Sequence, residues 1–153
     1  MTSRSAITVL LFWIAVAISG TADASDLQGT WMNEKKRVAI RIDHCGDQLC
    51  GYIVWLKRSK DTNGNTRLDR HNPDPALQNR TLCGLKILTG FRRLTDTTWD
   101  DGQIYDPTDG RSYSSNITLE HDGTLKVRGY VGISLLGKTI VWTRVPAPGE
   151  PCG

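Results

Sequence analysis

Short segments in which apolar and polar residues alternate run through most of this chain, and they constrain its fold more than any other feature. In segment 37–43, Val38, Ile40 and Ile42 fall on one face and charged residues largely on the other. This period of two is typical of a β-strand with one buried face, whereas helical periodicity is almost absent from the chain. The Asp-Gly pair at 122–123 separates two such segments and favours a hairpin turn, because glycine accepts a positive φ. The sequence therefore predicts an all-β fold built from hairpins.

The alternating segments predict about eight strands, near residues 29–33, 36–43, 50–57, 84–93, 97–106, 111–120, 123–132 and 134–145. Short, hairpin-linked strands with one apolar face must curl or stack to bury that face. We expect a closed antiparallel β-barrel, because closure leaves no exposed sheet edge. A two-sheet sandwich is the alternative. Gly129, on the apolar face of its strand, would suit either a barrel corner or space kept open inside.

The first 24 residues have the order of a secretory signal peptide. Arg4 precedes a run of thirteen mostly apolar residues, 6–18, and the small-residue triplet Ala22-Asp23-Ala24 follows. This order predicts a signal peptide over residues 1–24 and a single domain over residues 25–153. A retained membrane anchor is the alternative, but the run is shorter than the roughly 20 residues of a membrane span. We therefore expect an exported protein, periplasmic or secreted, with no stable membrane span after cleavage.

Export would place the four cysteines where disulfides persist. Four residues separate Cys45 from Cys50, the length of a hairpin loop, so Cys45–Cys50 is the first choice among the three pairings. Cys83–Cys152 would then tie the C-terminal tail to the body of the domain. A zinc site is the alternative, but these cysteines lack the short paired spacing of structural zinc sites. We expect no metal and no other cofactor.

Charge is spread along the chain rather than concentrated on one segment. The formal net charge is +3, and the notable basic runs are 35–37 and 92–93. These runs fall short of the basic face that a nucleic-acid-binding protein presents, so we expect no nucleic-acid partner.

Residues 58–81 do not alternate and are rich in polar and turn-forming side chains. Loops this long in compact domains are usually functional or mobile, and this one is a candidate lid over one end of the barrel. Asp61 and Asp69 have a calcium-loop spacing, but Thr66 stands where such loops carry glycine and Asn72 where they carry a bidentate carboxylate. A polar turn in which Asp and Asn bond to the neighbouring backbone is therefore the favoured interpretation.

Four blocks of sequence, in order along residues 29–145, carry a resemblance to a known family. They are Cys45-Gly46 with Leu49-Cys50-Gly51-Tyr52-Ile53-Val54-Trp55-Leu56, Asn72-Pro73-Asp74-Pro75 with Leu82-Cys83-Gly84-Leu85, Trp99-Asp100 with Ile104-Tyr105-Asp106-Pro107, and Leu125-Lys126-Val127-Arg128-Gly129-Tyr130 with Trp142-Thr143-Arg144. Together they resemble the bacterial domain-of-unknown-function family numbered 2147, a group of small exported proteins. The resemblance implies a lipocalin-like β-barrel from a bacterial envelope, and it implies no activity.

The segment Gly29-Thr30-Trp31 also resembles the G-x-W opening of lipocalins, in which the tryptophan packs across the barrel floor under an arginine of the last strand. Arg144 is the matching arginine in this chain. A broad indole closes a wide barrel end, and a guanidinium group stacks on it favourably. The resemblance therefore implies structural roles for Trp31 and Arg144.

An eight-stranded barrel either fills its interior with side chains or keeps a small ligand cavity. Aromatic residues on the predicted strands, with polar residues near a mouth, are the candidates for lining such a cavity. The candidate ligand-binding residues are Trp55, Asn72, Asp74, Trp99, Tyr105, Tyr113, Arg128 and Tyr130.

Three functions compete on this basis. The first is binding of a small apolar or amphipathic ligand in the bacterial envelope. The second is a structural or partner-binding envelope protein with a filled barrel, whose partner the sequence does not identify. The third is a hydrolase using Asp100, Asp101, Asp106 or Asp109, but a glycosidase pair needs a set separation across a cleft, and these carboxylates resemble turn residues. We therefore assign no catalytic residue.

Overall fold

Eight strands make up almost all of the regular structure in this computed structural model, which describes residues 26–149 and Cys152. The expected signal peptide lies outside the described residues. The strands are β1 (Gly29–Asn33), β2 (Val38–Cys45), β3 (Gln48–Leu56), β4 (Lys86–Arg93), β5 (Thr98–Asp106), β6 (Arg111–Leu119), β7 (Leu125–Tyr130) and β8 (Lys138–Val145). Two short 3₁₀ helices, Pro75–Leu77 and Ser134–Leu136, interrupt the connections.

The strands form a closed antiparallel barrel in which each strand pairs with its neighbours in sequence and β1 pairs with β8. The predicted barrel is therefore confirmed, and the sandwich alternative is wrong. Closure pairs the backbone N–H and C=O groups of β1 with those of β8, whereas an open sheet would leave them without strand partners.

The predicted last strand begins too early. Residues 134–136 form a 3₁₀ helix, and the guanidinium group of Arg128 donates to the carbonyl oxygens of Ser134 at 2.6 Å and Leu135 at 3.0 Å. Those carbonyls are thereby withdrawn from the sheet ladder, and β8 starts at Lys138.

The antiparallel order places the chain connections at two opposite ends of the barrel. We call one of them the open end, and it has the connections 34–37, 57–85, 107–110 and 131–137. The closed end has the connections 46–47, 94–97 and 120–124, together with the flanking segments 26–28 and 146–149.

A tryptophan and an arginine seal the closed end. Trp31 is 1% exposed, and its indole N–H donates to the carbonyl oxygen of Leu27 at 2.9 Å. The guanidinium carbon of Arg144 lies 4.4 Å from the centre of the Trp31 ring. The same guanidinium group donates to the carbonyl oxygens of Gln28 and Asp26, so the segment before β1 is held across the barrel floor.

Two disulfides cross-link the described chain. Cys45–Cys50 joins the ends of the β2–β3 hairpin, and Cys83–Cys152 joins the long connection before β4 to the C-terminal tail. All four cysteines are thus paired, which leaves no thiolate for the alternative zinc site.

Within the described part of the chain, no helix has the length and apolar character needed to cross a membrane.

Candidate functional site

A cavity of about 510 Å³ occupies the open half of the barrel. Its volume falls within the range of roughly 300–1,000 Å³ typical of small-molecule sites. Inward-facing apolar side chains from six strands form most of its wall: Val38, Ile40, Ile53, Leu56, Ile87, Ile104, Val127, Ile140 and Trp142. The interior is thus hollow near the open end and filled near the closed end, where Trp31, Phe91 and Trp99 are buried.

Strand alternation explains why these residues face inward. On β8, Ile140 and Trp142 line the cavity, whereas Val141 between them does not. On β7, Val127 and Gly129 line it. A Cβ atom added to Gly129 would lie 3.3 Å from Cγ2 of Ile104, so the glycine lets Ile104 pack closely against β7. Gly129 is therefore a cavity-lining position with a close neighbour across the barrel wall.

The rim of the cavity is polar and charged. Exposed Arg67, Thr108, Asp109 and Lys138 contribute to it, together with Asn33 and Asp106. An apolar wall below a charged rim is complementary to an amphipathic molecule rather than to a purely polar one.

The Tyr113 hydroxyl donates to a carboxylate oxygen of Asp109 at the rim. This hydrogen bond holds the pKa of Asp109 below its usual range and raises the pKa of Tyr113. The rim therefore keeps a carboxylate beside a neutral phenol at neutral pH.

The segment 57–85 packs over one side of the open end and is fixed there by a buried carboxylate. Asp69 is fully buried and accepts hydrogen bonds from the Tyr105 hydroxyl at 2.6 Å, Asn72 Nδ2 at 2.9 Å and Arg80 Nε at 3.0 Å. The Arg80 Nη2 atom also lies 2.9 Å from the carboxylate. Burial, with the hydrogen bond to Asp69, raises the pKa of Tyr105, so the phenol stays protonated and keeps donating.

A close backbone contact also fixes this segment. Gly110 lies so close to the carbonyl group of His71 that a Cβ atom there would overlap it. The candidate lid is therefore docked against the β5–β6 turn, and it contributes Arg67 and Leu82 to the cavity lining.

Asp69→Ala is expected to lower the free energy of unfolding by about 3 kcal/mol, because it leaves three donors without their shared acceptor. Asp74→Ala is the matched control in the same segment. That exposed carboxylate caps the 3₁₀ helix by accepting from the Ala76 N–H at 2.9 Å, and its loss should cost about 1 kcal/mol. Urea unfolding followed by tryptophan fluorescence measures both, and equal losses in the two variants would contradict the assigned role of Asp69.

Two of the candidate ligand-binding residues, Tyr105 and Tyr113, line the cavity. Asn72 lies behind Tyr105, with its Nδ2 atom 3.0 Å from the phenolic oxygen. Asp74 is the helix cap described above. Trp99 is buried near the closed end, with the Arg93 guanidinium carbon 5.7 Å from its ring centre.

Three further candidates lie outside the cavity lining. Arg128 and Tyr130 fall on the opposite face of β7 from Gly129, and Arg128 instead holds the connection 131–137. Trp55 is half-buried because the β2–β3 register shifts at Ala39, so that Leu56 lines the cavity in its place.

The aliphatic cavity wall is what sequence reasoning missed. The alternation that identifies the strands also marks Ile40, Val127 and other inward positions, but the candidate residues named above are aromatic or polar. The sequence around Arg67 and Lys138 does not indicate that they lie on the rim, because their position depends on how the connections fold.

The segment with the calcium-loop spacing folds as a turn around Asp61. The Asp61 carboxylate accepts hydrogen bonds from the backbone N–H groups of Asn65 and Asn63, both at 2.9 Å. These hydrogen bonds lower the pKa of Asp61, and they show that its side chain stabilises a turn. Residues 26–149 and Cys152 contain no group of three or more His, Cys, Asp or Glu side chains that could hold a metal ion.

The four aspartates of the hydrolase hypothesis separate into two places. Asp100 and Asp101 lie at an irregularity of the β5–β6 pairing, and neither lines the cavity. Asp106 and Asp109 lie in the β5–β6 turn at the rim, where their carboxylates accept from turn backbone N–H groups.

A family model described as "Uncharacterized protein conserved in bacteria (DUF2147)" matches residues 29–144. The chain belongs to this family. The match covers all eight strands of the barrel except the last residue of β8. The family of the sequence resemblance is thereby confirmed.

A solved structure shares the fold. Protein HP1028 from the human pathogen Helicobacter pylori, described as belonging to the lipocalin family, superposes with a TM-score of 0.67 at 21% sequence identity. The match covers 78% of this chain and 83% of that one. The lipocalin-like fold is therefore confirmed. No curated protein matches this chain in sequence.

Proposed function

We propose that this protein binds a small amphipathic molecule in the barrel cavity, with the apolar part of the ligand inside and its polar head at the rim. The cavity carries this proposal: about 510 Å³ of space with an aliphatic wall and a charged rim. Burying a hydrocarbon chain against such a wall contributes about 0.8 kcal/mol for each CH₂ group, so a modest chain supplies useful affinity.

The head group of the ligand is expected to be anionic. The connections at the open end hold nine lysine and arginine residues against five aspartate and glutamate residues. On the rim itself, Arg67 and Lys138 stand beside the carboxylates of Asp106 and Asp109, so the excess positive charge comes from the surrounding connections. The positive electrostatic potential of these connections would attract a carboxylate or phosphate head group and repel a cationic one.

We also propose that residues 1–24 direct export and that the domain from residue 25 onwards works in the bacterial envelope. The order of a charged residue, an apolar run and an A-x-A triplet supports export. The two disulfides agree with an oxidising compartment such as the periplasm. The alternative of a structural protein with a filled barrel is disfavoured, because the open half of the interior is hollow.

Native mass spectrometry of the protein purified from the periplasm, without refolding, tests the proposal. We expect a bound mass that disappears on denaturation and is recovered in the organic extract. A spectrum with the apo mass alone, together with no uptake from a panel of fatty acids and lysophospholipids, would refute ligand binding.

A further inference from the structure

The connection between β7 and β8 exposes an unusual amount of apolar surface beside the mouth of the cavity. We call residues 131–137 the apolar loop. Val131 is 75% exposed, Ile133 59%, Leu135 82% and Leu136 79%. Four large apolar side chains are thus exposed within six consecutive residues, and concentrated exposed apolar surface marks interaction sites.

The backbone of the apolar loop is held in place. Arg128 donates to the carbonyl oxygens of Ser134 and Leu135 and to Thr139 Oγ1, the last at 2.8 Å. Asn116 Nδ2 adds a hydrogen bond to Ser134 Oγ at 3.3 Å. Gly137 packs so tightly that an added Cβ atom would lie 2.6 Å from the carbonyl oxygen of Gly129. The loop therefore presents its leucines outward on a fixed support.

The charges of the barrel are separated along its axis. The connections at the open end carry nine basic and five acidic residues, a formal net charge of +4. The closed-end connections and the flanking segments 26–28 and 146–149 carry five acidic residues and no lysine or arginine of their own, and two of these acids, Asp96 and Glu120, pair with Arg93 and Lys126 on the adjoining strands. The apolar loop thus lies at the more positive of the two barrel ends.

We propose that the open end docks on a lipid bilayer that carries anionic head groups, with the apolar loop inserted among the acyl chains. Basic residues beside exposed leucines are the combination that binds such surfaces, since each cation near the membrane adds attraction and the apolar side chains add burial. Exposed Lys35, Lys36 and Arg37 belong to the neighbouring connection, whose Glu34 N–H donates to the carbonyl oxygen of Val141 on β8 at 3.1 Å.

Docking in this orientation turns the mouth of the cavity towards the membrane. An amphipathic ligand then passes between bilayer and barrel without crossing water. This consequence rests on the proposed function, whereas the docking itself does not require a ligand.

Vesicle flotation of the protein purified from the periplasm tests the proposal. We expect flotation with vesicles of phosphatidylethanolamine and phosphatidylglycerol, and at least about tenfold weaker binding to phosphatidylcholine vesicles. The double variant Leu135→Ser with Leu136→Ser is expected to lose at least about tenfold in vesicle binding. Leu94→Ser is the matched control, because Leu94 is 69% exposed but lies at the closed end, and it should bind like the wild type.

Charge variants test the electrostatic part. Lys35→Gln with Arg37→Gln should lower vesicle binding roughly tenfold. Thr97→Glu with His121→Glu changes the net charge equally at the closed end and should have little effect.

Ligand binding is measured separately, with a soluble fluorescent fatty acid and no vesicles, and the leucine variant should retain it. Failure of the wild type to float with anionic vesicles would overturn the docking proposal even if the fatty acid binds. Equal losses in the Leu94 and Leu135–Leu136 variants would also overturn it. So would leucine-dependent self-association, or leucine-dependent capture of an envelope protein, in place of flotation.

Discussion

Ile140→Trp is expected to weaken the binding of a fluorescent fatty acid by roughly 100-fold or more. Ile140 lines the cavity on β8, and an indole at this position would occupy space that the ligand chain needs. Each displaced CH₂ group forfeits about 0.8 kcal/mol, so excluding four of them costs about 3 kcal/mol of binding free energy. Titration followed by the fluorescence of the fatty acid measures the change directly.

Val141→Trp is the matched control for this substitution. Val141 is the next residue on β8, is half-buried and does not line the cavity, because successive side chains of a strand point to opposite faces. We expect wild-type affinity in this variant. If both tryptophan variants lose affinity equally, or if neither does, the cavity is not where the ligand binds.

Trp31→Ala is expected to lower the free energy of unfolding by about 3–5 kcal/mol, the range for deleting a buried tryptophan side chain. The substitution removes the indole that closes the barrel floor, the hydrogen bond to the Leu27 carbonyl and the ring on which Arg144 lies. Denaturant unfolding followed by far-ultraviolet circular dichroism measures the loss.

Trp55→Ala provides the comparison, because Trp55 is half-buried and stands outside the hydrophobic core. A loss of about 1 kcal/mol is expected there. Trp31→Phe should fall between the two, since it keeps most of the packing but not the N–H donor. A Trp31→Ala variant no less stable than Trp55→Ala would show that the closed end does not depend on this indole.

The fold could be predicted from the sequence because its determinants are local. Alternation in segments such as 37–43 and the Asp-Gly turn at 122–123 identify the strands and hairpins, and closure follows from the need to bury one face of each strand. The early start predicted for the last strand was wrong, because residues 134–136 form a 3₁₀ helix whose carbonyls accept from the Arg128 side chain, a contact between side chain and backbone that strand alternation does not indicate.

The candidate site was harder to predict, because its position depends on register and on long-range contacts. Tyr105 and Tyr113 line the cavity, but the irregular register of β3 moves Trp55 out of it. Nothing in the sequence near Asp69 indicates a buried carboxylate, since two of its donors, Tyr105 and Arg80, lie 36 and 11 residues away. Charge separation between the two barrel ends likewise emerges only when the connections are assigned to one end or the other.

The chain-length dependence of ligand affinity tests most directly whether the hollow half of the barrel is a binding site. Calorimetric titrations with straight-chain carboxylates from hexanoate to hexadecanoate would measure it. The cavity predicts that affinity rises roughly fourfold with each CH₂ group, or about 0.8 kcal/mol, and then levels off once the chain fills the available volume. Absence of binding at every length, or an affinity independent of length, would contradict a ligand-binding barrel.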